Sequence, residues 1–147
     1  ISTKEIADSL DKNSISTFGG NPVSCASANA TIDIIERENL AENAKNMGRI
    51  LINGMKKIQK QYPKTIGEVR GKGLMVGVEL VKDETIKDRT PDVESTNKIM
   101  EETKKRGLLI GRGGLYGNSL RIAPALNIGS DEIEEALQII NDSFGAL

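Results

Sequence analysis

Residues 74–81, Leu-Met-Val-Gly-Val-Glu-Leu-Val, alternate with a period of two. Leu74, Val76, Val78 and Leu80 face one way and Met75, Gly77 and Glu79 the other, which is the pattern of a strand with one buried face. Ile66–Arg70 reads as a strand just before it. Gly71-Lys72-Gly73 between them is a tight connection, so the fold contains short paired strands. The flanking segments have helical spacing. Residues 22–36 start at an Asn21 cap with Pro22 in the first helical position. They are rich in Ser and Ala, which predicts a buried helix that another backbone can approach closely. A longer helix begins near Asn39, where Asn39 and Glu42 are placed to cap it reciprocally. It carries the stripe Leu40, Ala44, Met47, Leu51, Met55, Ile58 and ends at Tyr62-Pro63. Thr90 and Pro91 open a further helix that stops at Gly107. Residues 108–111 and 119–123 read as two strands joined by a glycine-rich loop. The last helix, 131–144, has acids in its first turn and the stripe Ile133, Leu137, Ile140, Phe144. This order predicts an α+β fold, a small, mainly antiparallel sheet covered by helices.

Composition narrows the chemistry. The 147 residues contain no histidine and one cysteine, Cys25. Ser-His-Asp and Cys-His nucleophiles, His-ligated zinc and internal disulfides are therefore excluded, and no metal site is expected. With 20 Lys plus Arg against 21 Asp plus Glu there is no basic excess for nucleic acid or an anionic membrane. No apolar run approaches a membrane span and no basic-then-apolar leader is visible, so a soluble, cytoplasmic protein is expected. Cys25, inside the small-residue helix, reads as a compact apolar filler.

Most glycine patterns fail as nucleotide motifs. Gly67 is followed by three residues before Gly71-Lys72, where a P-loop needs four, and Gly73 replaces the hydroxyl residue. The run from Gly111 to Asn118 is better read as a hairpin loop than as an anion nest. Two positions stay open between a structural and a functional reading. Thr17-Phe18-Gly19-Gly20-Asn21-Pro22 places a hydroxyl and two glycines at a helix start, suited either to plain capping or to a phosphate. Arg121 lies on a strand opposite Leu120 and Ile122, suited either to a surface ion pair or to gripping a carboxylate through two parallel hydrogen bonds.

Five stretches, in this order and across the whole chain, resemble the C-terminal part of class III aminotransferases, pyridoxal-phosphate (PLP) enzymes of fold type I. They are Thr17–Pro22, Ile35–Leu40, Val69–Met75, Gly107–Gly113 and Leu120–Pro124. The third and fourth are most similar to the alanine–glyoxylate branch and its bacterial relatives. The resemblance implies that Thr17 reaches the PLP phosphate held mainly by the neighbouring subunit of a homodimer, with Phe18 and Gly19 beside it as cofactor-binding residues. It also implies that Arg121 holds the substrate's α-carboxylate. The family's usual Pro-Pro after that arginine is Pro124-Ala125 here.

No lysine present matches the family's Schiff-base lysine, so no catalytic residue is assigned in this chain. Residues 1–16 are expected to be a remnant helix and connector from an upstream large domain, and 17–147 the C-terminal small domain, inactive by itself. The implied reaction moves an amino group from an amino acid to an oxo acid such as glyoxylate or pyruvate. The alternatives are an ω-amine, 4-aminobutyrate or acetylornithine aminotransferase, or a non-catalytic α+β ligand-binding or interaction module.

Overall fold

The computed structural model describes residues 2–13 and 15–147; Ile1 and Ser14, at the start and near the end of the expected remnant and connector, lie outside the described residues. The chain divides into two compact units, 1–34 and 35–147.

The first unit holds α1 (Lys4–Asp8) and most of α2 (Pro22–Arg37). Helix α2 starts as the sequence requires. The Asn21 side chain accepts from the Ser24 N–H at 3.0 Å and donates to the Phe18 carbonyl at 2.8 Å, which fixes the turn before the helix. The expected burial of α2 is not found: none of its residues is buried, and Cys25 is exposed rather than filling a core. Thirty-odd residues cannot enclose a helix of their own, because a core needs a second layer to close it.

The second unit contains α3 (Leu40–Gln61), β1 (Ile66–Lys72), β2 (Met75–Asp83), β3 (Asp88–Pro91), α4 (Val93–Lys105), β4 (Gly111–Gly113), β5 (Ser119–Ile122) and α5 (Ser130–Phe144). The strands form one antiparallel sheet in the order β1-β2-β5-β4, with β3 paired to the far end of β2. The alternation in β2 is obeyed: Val76, Val78 and Leu80 are buried while Met75 is 75% exposed. Leu120 and Ile122 of β5 join that buried face. The helices meet it with Leu51, Met55 and Ile58 of α3, Ile99 of α4, and Ile133, Ile140 and Phe144 of α5. Tyr62 closes the end of this core. Its ring stacks on Phe144 at a centroid distance of 5.4 Å, and its hydroxyl donates to the Asn141 carbonyl. Such an aromatic pair adds about 1 kcal/mol to simple burial.

Glycine permits two tight features. Gly73, at φ +55°, turns the β1–β2 hairpin, and α3 packs backbone to backbone on that turn through Gly48. Gly107, at φ +90°, ends α4: its N–H bonds to the Lys104 carbonyl and the Leu108 N–H to that of Thr103, the paired C-terminal bonds of a Schellman motif.

Three boundary expectations are corrected. Asn39 does not cap α3 with its side chain; it adopts a left-handed conformation with φ 50°. Only Glu38 and Asn39 separate α2 from α3, and Asn tolerates the left-handed conformation that residue 39 takes between them. Glu42 pairs with Lys45 instead. Thr90 and Pro91 do not open α4; they belong to β3, a short edge strand on which proline is tolerated. The cap is Asp92, whose carboxylate accepts from the Ser95 N–H at 3.1 Å and the Ser95 hydroxyl at 2.7 Å. Lastly, residues 108–110 are not in a strand. Strand β4 covers 111–113, because those residues align with β5.

Asp92 also ties α4 to β2. The Lys82 ammonium donates to it at 3.0 Å. Burial disfavours the Asp92 charge, but the Ser95 and Lys82 hydrogen bonds outweigh it and hold the carboxyl below its ordinary range. On α4, Glu102 is held at about 2 by Arg106 and Lys105. Both folded-state pKa values lie below those of the unfolded chain, so the unfolded state binds more protons as the pH drops. The stability these two carboxylates contribute is therefore present above about pH 4.5 and is lost toward pH 2. Urea midpoints between pH 6 and 2 check this. Asp92→Asn keeps a capping oxygen but not the charge, and it should flatten the acid limb; an unchanged slope would remove Asp92 from the account.

Candidate functional site

Arg121 sits in β5, which is paired on both sides, so its backbone is fixed by two ladders. Leu120 and Ile122 on either side are buried, which turns Arg121 to the opposite, exposed face as the alternation requires. The register places four residues in one row across the sheet: Arg70 of β1, Gly77 of β2, Arg121 of β5 and Gly111 of β4. Two arginines thus alternate with two glycines, and neither glycine adds a side chain beside Arg121.

The two arginines differ in electrostatic state. Arg70 is paired with Glu68 at 2.8 Å and with Glu79 at 3.7 Å. Among the described residues no carboxylate lies within 4.0 Å of Arg121. The ion pair offered as the structural reading of Arg121 is therefore absent among the described residues, and its five donors are available to a ligand. Beside it opens a concavity of about 1150 Å³ at the end of the sheet where β1 and β5 finish and β2 and β4 begin. Its walls are chiefly apolar, among them Met75, Leu109, Ile122 and Ile133, with Arg70, Lys72 and Arg121 as the cations and Glu132 and Glu135 of α5 as the carboxylates. An apolar cleft with a few convergent polar groups is the form of a small-molecule site. The segment after Arg121 is held in place by Asn43 of α3, whose amide donates to the carbonyls of Leu126 at 2.7 Å and Ile128 at 3.1 Å.

Thr17, Phe18 and Gly19 lie in the first unit, all exposed, directly before the capped start of α2. The Thr17 hydroxyl makes no hydrogen bond among the described residues, so it is available as a donor. Residues 15–24 carry no charged side chain. These residues fit a phosphate as hydrogen-bond donors and supply none of the counter-charge that a phosphate dianion requires.

The other glycine runs resolve as structural. Gly114 and Gly117 take positive φ in the β4–β5 loop. Buried Asn118 locks that loop by donating to the Leu80 carbonyl at 2.8 Å. Sequence reasoning missed Gly111 as a neighbour of Arg121, since it placed that glycine at the end of a strand. Cross-strand register is not written in one sequence, and no local signal would have exposed the pairing.

The antiparallel sheet backed by helices is an architecture shared with solved aminotransferase structures. The chain belongs to the class III aminotransferase family, whose model matches residues 1–144. It is 39% identical over 146 residues to the mitochondrial alanine–glyoxylate aminotransferase 2 of Homo sapiens, covering 98% of this chain and 28% of that protein. It is 41% identical over 140 residues to an alanine/serine racemase of Pyrococcus horikoshii, covering 95% of this chain and 28% of that protein. A crystal structure of a Bacillus anthracis aminotransferase superposes with a TM-score of 0.85 at 35% identity, covering 98% of this chain and 34% of that one. The chain thus spans under a third of the curated relatives it matches.

Proposed function

We propose that these residues serve, within a longer polypeptide, as the substrate-gripping part of a PLP-dependent aminotransferase that moves an amino group from an amino acid to an oxo acid such as glyoxylate or pyruvate. The observation that carries this reading is Arg121, an unpaired guanidinium on a rigid central strand at the mouth of an apolar cleft. A planar cation in that position holds a carboxylate through two parallel hydrogen bonds, and the apolar wall receives a short side chain. Fixing the carboxylate fixes the α-carbon next to it, and positioning of this kind supplies several kcal/mol of a barrier reduction.

PLP, when bound, supplies the electron sink and carries the amino group between the two substrates. This chain's contribution to holding it would be the Thr17 hydroxyl as a hydrogen-bond donor to the phosphate, with Phe18 and Gly19 beside it. The counter-charge and the covalent lysine come from elsewhere in the assembly, which we take to be a homodimer. A racemase relative is compatible with the same grip, because racemisation of an amino acid also needs its carboxylate held.

The test is to supply the full-length protein with PLP, L-alanine and glyoxylate and to measure pyruvate and glycine. Equal formation of both is expected, and none from residues 1–147 alone. Interconversion of alanine enantiomers without glycine would make the protein a racemase. No turnover of any amino acid would leave the non-catalytic binding module as the reading.

A further inference from the structure

Glycines flank Arg121 on both neighbouring strands, but the guanidinium treats them differently. A Cβ built on Gly111 of β4 would lie 3.2 Å from the Arg121 Nε and 3.3 Å from its Nη2. A Cβ built on Gly77 of β2 would have no Arg121 atom within 4 Å; its nearest neighbour is the Arg70 Cγ at 3.9 Å. The Arg121 side chain therefore leans over β4 and rests against the bare Cα of Gly111. The space it borders is the space a side chain at 111 would fill. Nε and Nη2 also form one of the two forks through which a guanidinium makes paired hydrogen bonds. A methyl group equidistant from both would crowd that fork.

We propose that Gly111 is a positioning residue for the carboxylate grip: its missing side chain sets the direction in which Arg121 presents its fork, and so the preference for substrates that carry an α-carboxylate. This rests on the proposed role of Arg121. Gly111 is not glycine for the sake of its backbone, since its φ is not positive and β4 is an ordinary extended strand. Gly113, two residues along the same strand, supplies the internal comparison, because a Cβ there meets nothing within 4 Å.

The experiment uses the full-length protein with PLP and compares an α-amino acid donor with a simple primary amine that has no carboxylate. Gly111→Ala pushes the guanidinium aside by a few tenths of an ångström. It should raise KM for the amino acid by about 10-fold, and Gly111→Val by more, because small misplacements of a positioning group are amplified in rate and affinity. Turnover of the amine should stay within about two-fold, as should both substrates in Gly113→Ala. In an Arg121→Ala background, Gly111→Ala should change nothing further for the amino acid, because the group it acts through is gone. Pyruvate binding to the full-length protein without PLP, followed by calorimetry, should weaken in parallel with KM. Equal losses for amine and amino acid, or an additive effect on top of Arg121→Ala, would assign Gly111 a merely structural role and overturn the inference. If Arg121→Ala itself fails to separate the two substrates, the carboxylate role of Arg121 fails instead; if it separates them and Gly111→Ala does not, only the inference fails.

Discussion

Arg121→Ala in the full-length protein should lower kcat/KM for α-amino acid donors by about 100- to 1000-fold, through KM more than kcat. Two charge-assisted hydrogen bonds in a partly desolvated cleft are worth roughly 3–4 kcal/mol, and each 1.4 kcal/mol is a factor of ten. Arg121→Lys keeps the charge but replaces the planar fork with a point donor, so it should recover part of the loss and leave about a 10-fold defect. The expectation is sharp because Arg121 has no internal partner among the described residues. Removing it leaves no orphaned carboxylate behind, and both its neighbours in the strand stay buried. Stability should therefore be almost unchanged. Steady-state kinetics with alanine and thermal unfolding of the same samples check both halves. Unaltered kinetics would remove Arg121 from substrate binding; a large fall in stability would show that its work is structural.

The largest stability effect is expected at Gly48. A Cβ there would stand 2.2 Å from the Gly73 carbonyl oxygen and 2.3 Å from its carbon. Both are backbone atoms of the β1–β2 turn, which cannot yield without opening the hairpin or lifting α3 off the sheet. Gly48→Ala should therefore cost about 3 kcal/mol, although alanine is by itself the better helix former by about 1 kcal/mol. Gly54, also in α3, is the instructive contrast. Its Cβ would meet the Leu137 methyl carbon at 2.3 Å, the movable end of a side chain. Gly54→Ala should then lie within about 1 kcal/mol of the parent, since repacking of Leu137 and the gain in helix propensity offset each other. Urea unfolding followed by the near-ultraviolet signal of Tyr62, which stacks on Phe144, reports on both variants. Equal losses at the two positions would contradict the distinction between backbone and side-chain obstruction.

Much of this architecture was legible because it depends on period. The alternation from Leu74 to Leu80 and the stripe from Leu51 to Ile58 place their residues in the core as the spacing requires. The failures share a physical origin. Strand β3, Asp-Arg-Thr-Pro, is four residues long and mostly exposed, so no hydrophobic rhythm marks it and Thr90 before Pro91 has the pattern of a helix cap. The Asn39–Glu42 spacing satisfies a capping pattern, but Asn39 takes a left-handed conformation and its side chain makes no capping bond. The small-residue pattern of α2 says only that nothing bulky would prevent a close approach. It does not say which polypeptide approaches, and none of that helix is buried here. For the candidate site, the face on which Arg121 lies follows from its neighbours in sequence. Its lack of an internal ion-pair partner and its lean toward Gly111 are facts of pairing between strands distant in sequence.

The margins of the sheet have a consequence for how the chain behaves in solution. At one border β4 offers three residues, two of them glycine, and at the other β1 carries Glu68, Arg70 and Lys72 and a break in register between Ile66 and Glu68. Neither border gives a second molecule a long, flat row of free amides to zip onto, so runaway fibril growth through this sheet is disfavoured even at high concentration.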